Sequence, residues 1–223
     1  MLRHRPVQSS YATCSYALFV AASAMLVAVI GPFNWLVTAE SGSVEEATQG
    51  KLAEFLAVVP VILLITWATR RSRQLLYLQR GLPKRWLIFG LGSFSIAAIV
   101  ISGVALASGI SSETLIPASP WILAFAALNA FMEELWSRGI FLRSYAAGMG
   151  GVAAVLVTAV IFGLAHVQAT YLSAGEYLGF TSLVVVLGIV MAWAMRWADT
   201  IWGAVLFHMG LDLVVALELL EVL

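Results

Sequence analysis

Two adjacent glutamates lie in an otherwise apolar segment, FMEELWSR, which covers residues 131–138. Glu134 and Arg138 are four residues apart, so on a helix they share one face and can form a charge pair. Glu133 points about 100° away from Glu134 on the helix wheel and therefore needs a different environment. The charge pair leaves one carboxylate free, and a free carboxylate in a low-dielectric site can act as a base towards water.

If this apolar segment belongs to a helix that crosses a membrane, a simpler explanation is available: the helix has reached the membrane surface, where glutamate and arginine are common. Arg138 and Arg143 fit that explanation. Glu133 and Glu134 fit it poorly because they lie closer to the middle of the predicted span, where a charged group costs about 3 kcal/mol on insertion scales. Ionisable groups at such depth pair with each other, line a cavity or take part in function.

Two histidine motifs follow along the chain. Phe162 and His166 share a helical face in the segment FGLAH, and His208 and Asp212 share one in HMGLD. A lone intramembrane histidine is more often a hydrogen-bonded core residue than a catalyst, and a histidine–aspartate pair can simply tie two helices together. The aspartate can also orient or charge the imidazole. One helical bundle could gather all three motifs around a common cavity.

The composition indicates what surrounds these residues. The 223 residues are 61% hydrophobic and 11% charged, whereas an ordinary soluble domain is about half apolar and about one quarter charged. A bilayer is the natural solvent for the excess apolar surface. The formal net charge of 0 argues against a nucleic-acid partner held by phosphate neutralisation. Cys14 is the only cysteine, so one chain can form neither a disulfide nor a thiolate metal site.

Seven apolar stretches are long enough to cross a bilayer as helices. They cover residues 11–31, 52–69, 86–108, 120–143, 150–169, 178–196 and 201–221. The connections are mostly short and no internal repeat is evident, so residues 1–223 are expected to form a single all-α integral membrane domain, a bundle of about seven helices. Residues 1–119 carry no motif, and residues 120–215 carry all three motifs and are expected to form a polar cavity.

Basic residues concentrate on one side of this topology, chiefly in the loop 70–85. Because cytoplasmic loops are enriched in lysine and arginine, we expect a multi-pass plasma-membrane protein with a cytoplasmic N-terminus and with Lys51 on the outer side. Counting 1.5 Å per residue places His208 roughly 10 Å and His166 roughly 24 Å from the cytoplasmic face. A shared site has to reconcile these two depths.

The order and spacing of the motifs resemble a known family. Glu133-Glu134 with Arg138, then Phe162 with His166, then His208 with Asp212 resemble the successive motifs of the CPBP family of intramembrane proteases. That family includes the CAAX prenyl endopeptidases of the Ras-converting type and bacterial proteins linked to bacteriocin processing and self-immunity. Each motif is short, but three in this order on separate spans form a fairly specific signal over residues 120–215.

The resemblance implies a glutamate-dependent endopeptidase that needs no metal and no other cofactor. By analogy, Glu133 and His166 would activate the attacking water, and His208 and Asp212 would stabilise the oxyanion. The supporting residues would be Glu134, Arg138 and Phe162. The implied partners are the lipid bilayer and a peptide or protein substrate, membrane-associated or lipidated, from CAAX-type or bacteriocin-related processing.

Position 212 departs from the prenyl endopeptidases, which tend to have asparagine there. An ionised aspartate cannot donate a hydrogen bond to an oxyanion, so Asp212 would either be protonated or act by orienting His208. Aspartate also occurs in the last motif of the wider family, so this departure concerns the mechanism more than the assignment. The sequence leaves open whether the substrate is prenylated.

Three other functions suit intramembrane acids and histidines. A metal-dependent hydrolase could use the histidines and carboxylates as zinc ligands, but the HExxH spacing is absent. A non-catalytic scaffold or self-immunity protein would keep the motifs for structure alone. A small transporter or proton relay is also conceivable, although the chain lacks the internal repeat that many transporters show. The endopeptidase ranks first and the scaffold second.

Overall fold

The computed structural model describes residues 7–71, 73–166 and 174–218. The helices are α1 Val7–Ile30, α2 Val44–Ala68, α3 Pro83–Ala107, α4 Ser112–Glu134, α5 Phe141–Met149, α6 Gly151–Ala165, α7 Ala174–Ala198 and α8 Trp202–Glu218. A π-helical turn, Leu135–Gly139, joins α4 to α5, and two 3₁₀ turns, Asn34–Leu36 and Arg73–Leu76, lie in loops. The described residues contain no strand. The predicted all-helical membrane bundle is confirmed.

Five segments are long and apolar enough to cross a bilayer. They are Thr13–Ile30, Val44–Ala68, Pro83–Ala107, Ser112–Met149 and Leu178–Ala198. The remaining two predicted spans correspond to shorter apolar helices, Gly151–Ala165 and Trp202–Ala216. At 1.5 Å per residue each is only about 22 Å long, less than the hydrocarbon core of about 30 Å. These two short helices carry the two histidine motifs.

Helix α2 begins earlier than hydropathy predicts, at Val44 instead of residue 52. Ser43 caps it, because the Ser43 hydroxyl accepts a hydrogen bond from the backbone N–H of Glu46 at 3.1 Å. A capped helix continues through polar residues, which a hydropathy pattern reads as loop. The sequence placed Lys51 just before the start of the second span. In the structure it lies two turns inside α2.

Helix α4 also begins earlier than predicted, at Ser112 instead of residue 120. Ser111 caps it by accepting a hydrogen bond from the backbone N–H of Thr114 at 3.2 Å. Its two prolines, Pro117 and Pro120, lie inside the helix and do not mark its start. The glutamate pair thus stands at the far end of a long helix.

Helix α8 is surrounded by α3, α4 and α7. Glycines bring α8 close to α3: a Cβ atom at Gly210 would lie 2.9 Å from Cβ of Ala97, and one at Gly203 would lie 3.2 Å from Cβ of Trp86. Small residues allow membrane helices to approach in this way. Only 6% of the apolar segment of α3 is buried, so α3 forms an outer wall of the bundle. Helix α8 lies behind α3, and its motif is directed towards α4.

An ion pair between Arg143 of α5 and Asp199 of the α7–α8 connection fixes the relative depth of the motifs. Nine residues separate Glu134 from Arg143, and nine separate Asp199 from His208, which is about 13 Å along a helix in each case. Glu134 and His208 consequently lie at the same level. Helix α5 continues past Arg143 to Met149, so α6 starts further from the level of Glu134 than α8 does. The longer path from there to His166 reconciles the two predicted depths.

Candidate active site

The structure brings the seven predicted site residues together. Glu133 and Glu134 end α4, Arg138 lies in the π-helical turn, Phe162 and His166 lie on α6 and at its C-cap, and His208 and Asp212 lie on α8. A π-helical turn is rare and often accompanies a functional site. Here it carries the arginine that pairs with the preceding helix.

Glu134 is the hub of a fully buried charge network. Its Oε1 atom accepts hydrogen bonds from Nη1 of Arg138 at 2.5 Å and from Nδ1 of His208 at 2.9 Å. Glu134 and Arg138 are both 0% exposed. Because arginine keeps its charge and its ionised partner can only accept, Nδ1 of His208 carries a proton. The imidazole of His208 is therefore oriented with Nε2 directed away from Glu134.

Arg138 is held on several sides. Its Nε donates to the carbonyl oxygen of Gly188 on α7 at 3.3 Å, and its Nη1 donates to the hydroxyl of Ser137 at 3.2 Å. Its Cζ lies 4.1 Å from the ring centroid of Phe162, a cation–π contact. A Cβ atom at position 188 would lie 3.2 Å from Nη2 of Arg138 and 3.1 Å from Ala159. Gly188 thus leaves room for the guanidinium between α6 and α7.

Phe162 separates the charged network from the accessible part of the site. Its ring centroid lies 4.5 Å from that of His166 and 5.8 Å from that of His208, the latter edge-on at 90°. The ring is 5% exposed. One aromatic side chain therefore packs against both imidazoles and the guanidinium.

His166 follows the last residue of α6. Its Nδ1 lies 2.8 Å from the carbonyl oxygen of Phe162, and since a carbonyl oxygen only accepts, Nδ1 is the donor. Neutral His166 then presents the lone pair of Nε2, which lies 3.6 Å from Oε2 of Glu133. In that neutral form, a carboxylate oxygen and an imidazole nitrogen, both acceptors, face each other across this distance.

Glu133 also faces the second histidine. Its Oε2 lies 3.7 Å from Nε2 of His208, so this oxygen is nearly equidistant from the two imidazoles. The side chains of Glu133 and His166 are 23% and 27% exposed, against 6% for His208. The predicted division between a buried, paired Glu134 and a differently placed Glu133 is what the geometry shows.

Asp212 lies behind His208. Its Oδ1 is 3.6 Å from Nε2 of His208, and its Oδ2 accepts a hydrogen bond from Nδ2 of Asn129 on α4 at 3.1 Å. Asp212 is 5% exposed. Asn129, one turn before Glu133, thus connects α4 to α8 through the aspartate.

A cavity of about 330 Å³ opens beside these residues. It is lined by Met25, Ala28, Glu54, Val58, Met132, Glu133, Trp136, Ser137, Phe162, Ala165 and His166. Its wall combines α1 and α2 with the motif-bearing helices, and only part of it is polar. Within the described residues, no group of three or more histidine, cysteine, aspartate or glutamate side chains is arranged to hold a metal ion.

Sequence reasoning missed four residues around this site. Asn129 and Glu54 left a signal, since each is a polar residue in an apolar span, and Asn129 stands four residues before Glu133. Ser137, which donates to the carbonyl oxygen of Glu133 at 2.5 Å, lay inside the first motif but was not singled out. Gly188 left no signal, because a glycine in an apolar helix looks the same whether or not a guanidinium approaches it.

Comparison with known proteins agrees with the motifs. Residues 115–214 match the family model described as Type II CAAX prenyl endopeptidase Rce1-like. This match includes all seven predicted site residues, and the predicted resemblance to the CPBP and CAAX protease family is confirmed. The matched residues cover the motif-bearing part of the chain. No curated protein and no solved structure matches the chain.

Proposed function

We propose that this chain is an intramembrane endopeptidase that hydrolyses a peptide bond with water activated by Glu133 and His166. One observation carries the proposal. At the wall of an accessible cavity, Oε2 of Glu133 lies 3.6 Å from Nε2 of His166 and 3.7 Å from Nε2 of His208. Glu133 and His166 line the cavity, and His208 lies beside Glu133, so a base and two imidazoles meet at the edge of this cavity.

Water activation follows from the acceptor atoms. A water molecule between Glu133 and His166 would donate one hydrogen bond to each, because both present lone pairs. As its oxygen attacks the peptide carbonyl, the proton passes to Glu133, which can then deliver it to the leaving amine nitrogen. His166 orients the nucleophile without needing a charge of its own.

The developing oxyanion requires a donor, and His208 is placed to supply it. Three carboxylates, those of Glu133, Glu134 and Asp212, surround this imidazole and only one guanidinium balances them, which favours the imidazolium form. With Nδ1–H engaged by Glu134, Nε2–H is the donor available to the oxyanion. Oδ1 of Asp212 lies 3.6 Å from Nε2 of His208, and we assign Asp212 the role of orienting this imidazole.

The cavity suits a membrane-associated peptide. Most of its lining residues are apolar, and such a wall accommodates an apolar or lipid-modified segment better than a hydrated one. CAAX-type C-terminal processing and bacteriocin-related processing both meet this requirement. We place the chain in the plasma membrane with its N-terminus in the cytoplasm, as the basic loop predicts.

Comparing the protein termini of cells that carry the native chain with those that carry Glu133→Gln tests the proposal. Membrane levels are matched, and Glu113→Gln serves as the control, since Glu113 lies exposed in the first turn of the same helix. We expect neo-termini that disappear with Glu133→Gln and persist with Glu113→Gln. These termini would also identify the substrates.

The native chain and Glu133→Gln could instead give identical terminal profiles and the same cellular phenotype. That result would contradict the protease proposal and favour the scaffold or self-immunity function. A metal-dependent hydrolase is distinguished by adding 1,10-phenanthroline to the purified protein. We expect cleavage to continue, whereas inhibition that zinc reverses would show that the histidines and Glu133 act as metal ligands.

A further inference from the structure

Helix α2 contributes an ion pair next to the same cavity, from the part of the chain that carries no motif. Glu54 lines the cavity together with Glu133 and His166. Its Oε2 lies 3.1 Å from Nζ of Lys51, one turn earlier. The proposed hydrolysis does not use this pair, and charged groups on a membrane helix are costly unless they have a role.

The pair differs in accessibility from the buried pair of the catalytic network. The side chains of Lys51 and Glu54 are 28% and 42% exposed, whereas those of Arg138 and Glu134 are both 0% exposed. A fully buried pair fixes structure, because neither partner can leave without stranding a charge. An accessible carboxylate on a cavity wall can exchange its partner for an incoming cation.

Carboxylates outnumber lysine and arginine side chains in the described part of the cavity wall. Of the residues that the structure describes, those lining the cavity include the carboxylates of Glu54 and Glu133 and no lysine or arginine. Lys51 contacts Glu54 from one turn earlier on α2. The cavity therefore attracts positive charge and repels negative charge.

The surroundings of Glu54 are apolar. Val58, one turn further along α2, Met25 and Ala28 of α1, and Met132 of α4 line the same cavity. An apolar surface beside an accessible carboxylate matches a substrate segment in which an apolar residue is followed or preceded by a basic one. The carboxylate of Glu54 would accept a charge-assisted hydrogen bond from that basic side chain.

We propose that Glu54 is a specificity residue that binds an arginine or lysine side chain of the substrate, beside an apolar substrate residue held by α1 and α2. This inference rests on the proposed endopeptidase function. In the free protein, Lys51 forms an ion pair with Glu54. When substrate binds, its cationic side chain replaces Lys51 in part of this ion pair. The wall contributed by the motif-free helices then selects the substrate, while the motif-bearing helices cleave it.

Binding to the full chain in lipid nanodiscs tests this role apart from hydrolysis. The protein carries Glu133→Gln, and the probes are two capped, fluorescent tripeptides, Phe-Leu-arginine amide and Phe-Leu-citrulline amide, which differ in charge but hardly in shape. We expect the arginine probe to bind about tenfold more tightly than the citrulline probe. Adding Glu54→Gln should abolish this preference, and adding Glu45→Gln, at an exposed position in the first turn of α2, should leave it unchanged.

Lys51→Gln distinguishes recognition from structure. Removing Lys51 frees Glu54 from its competitor, so the preference for the arginine probe should increase, opposite to the effect of Glu54→Gln. A merely structural ion pair predicts that both variants weaken both probes alike. That result, or equal binding of the two probes to the protein with an intact Glu54, would overturn the inference.

Hydrolysis is scored separately on the protein with Glu133 intact. Glu133-dependent cleavage that shows no preference for a basic residue would refute the role of Glu54 and leave the endopeptidase standing. An arginine preference that depends on Glu54, in a protein that cleaves nothing, would refute the endopeptidase and leave a cation-binding cavity.

Discussion

Nδ1 of His208 donates a hydrogen bond to Oε1 of Glu134 across the interface of α4 and α8, at a distance of 2.9 Å. The same oxygen accepts from Arg138. The second glutamate of the pair therefore fixes the orientation of one imidazole, while the first lines the cavity. Two adjacent residues of the same type have different environments because the helix turns about 100° between them.

Glu134→Gln is expected to destabilise the bundle strongly. It leaves the guanidinium of Arg138, which is 0% exposed, without its anion, a change that costs about 3–5 kcal/mol in buried pairs. Unfolding in mixed micelles measures the effect, and Glu113→Gln on the same helix provides the control. Adding Arg138→Met to Glu134→Gln should restore much of the stability. If Glu134→Gln alone were as stable as Glu113→Gln, the buried charge network would be contradicted.

Gly188→Ala is expected to lower stability and activity together. The new methyl group would lie 3.2 Å from Nη2 of Arg138 and 3.1 Å from Ala159, and such overpacking costs about 1–3 kcal/mol. Gly179→Ala on the same helix is the matched control, since a Cβ atom there meets nothing within 4 Å. Equal behaviour of the two variants in thermal unfolding and peptide cleavage would show that α7 does not confine the arginine.

Asp212→Asn is expected to retain cleavage that Asp212→Ala loses. The carbonyl oxygen of an asparagine can still accept the hydrogen bond from Asn129, and its amide nitrogen then takes the position that faces His208, whereas alanine leaves the amide of Asn129 without its partner. The measurement is kcat and KM for a substrate found from the neo-termini. Because Asp212 is assigned to orient His208, the loss with alanine should fall on kcat; a change confined to KM would place Asp212 in substrate binding instead.

Tyr77 is expected to make the fold sensitive to alkaline pH. Burial raises the pKa of Tyr77, and the neighbouring Arg143 guanidinium, 4.0 Å from the ring centroid, offsets part of that rise. A raised pKa means that the folded state favours the neutral phenol, so this contribution is complete below the unfolded pKa of about 10 and is lost as pH rises through the folded pKa. Melting temperatures from pH 8 to 11 should therefore fall more steeply for the native chain than for Tyr77→Phe, and parallel curves would contradict this.

Hydropathy and motif spacing predict the number of apolar segments and the identity of the residues that meet. They fail at helix ends, because Ser43 and Ser111 begin helices that run through polar residues before the apolar part starts. They also miss the level at which the short helices start. That level depends on the contact between Arg143 and Asp199, which are 56 residues apart and carry no pattern linking them.

Contacts that depend on backbone are equally invisible in the sequence. The π-helical turn at Leu135–Gly139 has no recognisable composition, and the carbonyl oxygen of Gly188 accepts from Arg138 regardless of side chain. Asn129 and Glu54 could have been found by treating every polar residue in a span as a candidate. A rule based on known motifs omits them because they lie outside the motifs.

The position of His208 and Asp212 on α8 has a consequence for biosynthesis. Helices leave the ribosome in chain order, so the nascent protein inserts Glu133 and His166 before the imidazole that completes their site. Until α8 docks between α3, α4 and α7, Glu134 has only Arg138 as its partner, and the pair enters the bilayer with its charges balanced. A growing chain thus lacks the assembled site until α8 has docked. On the proposed function, neighbouring polypeptides at the translocon are not exposed to hydrolysis before then.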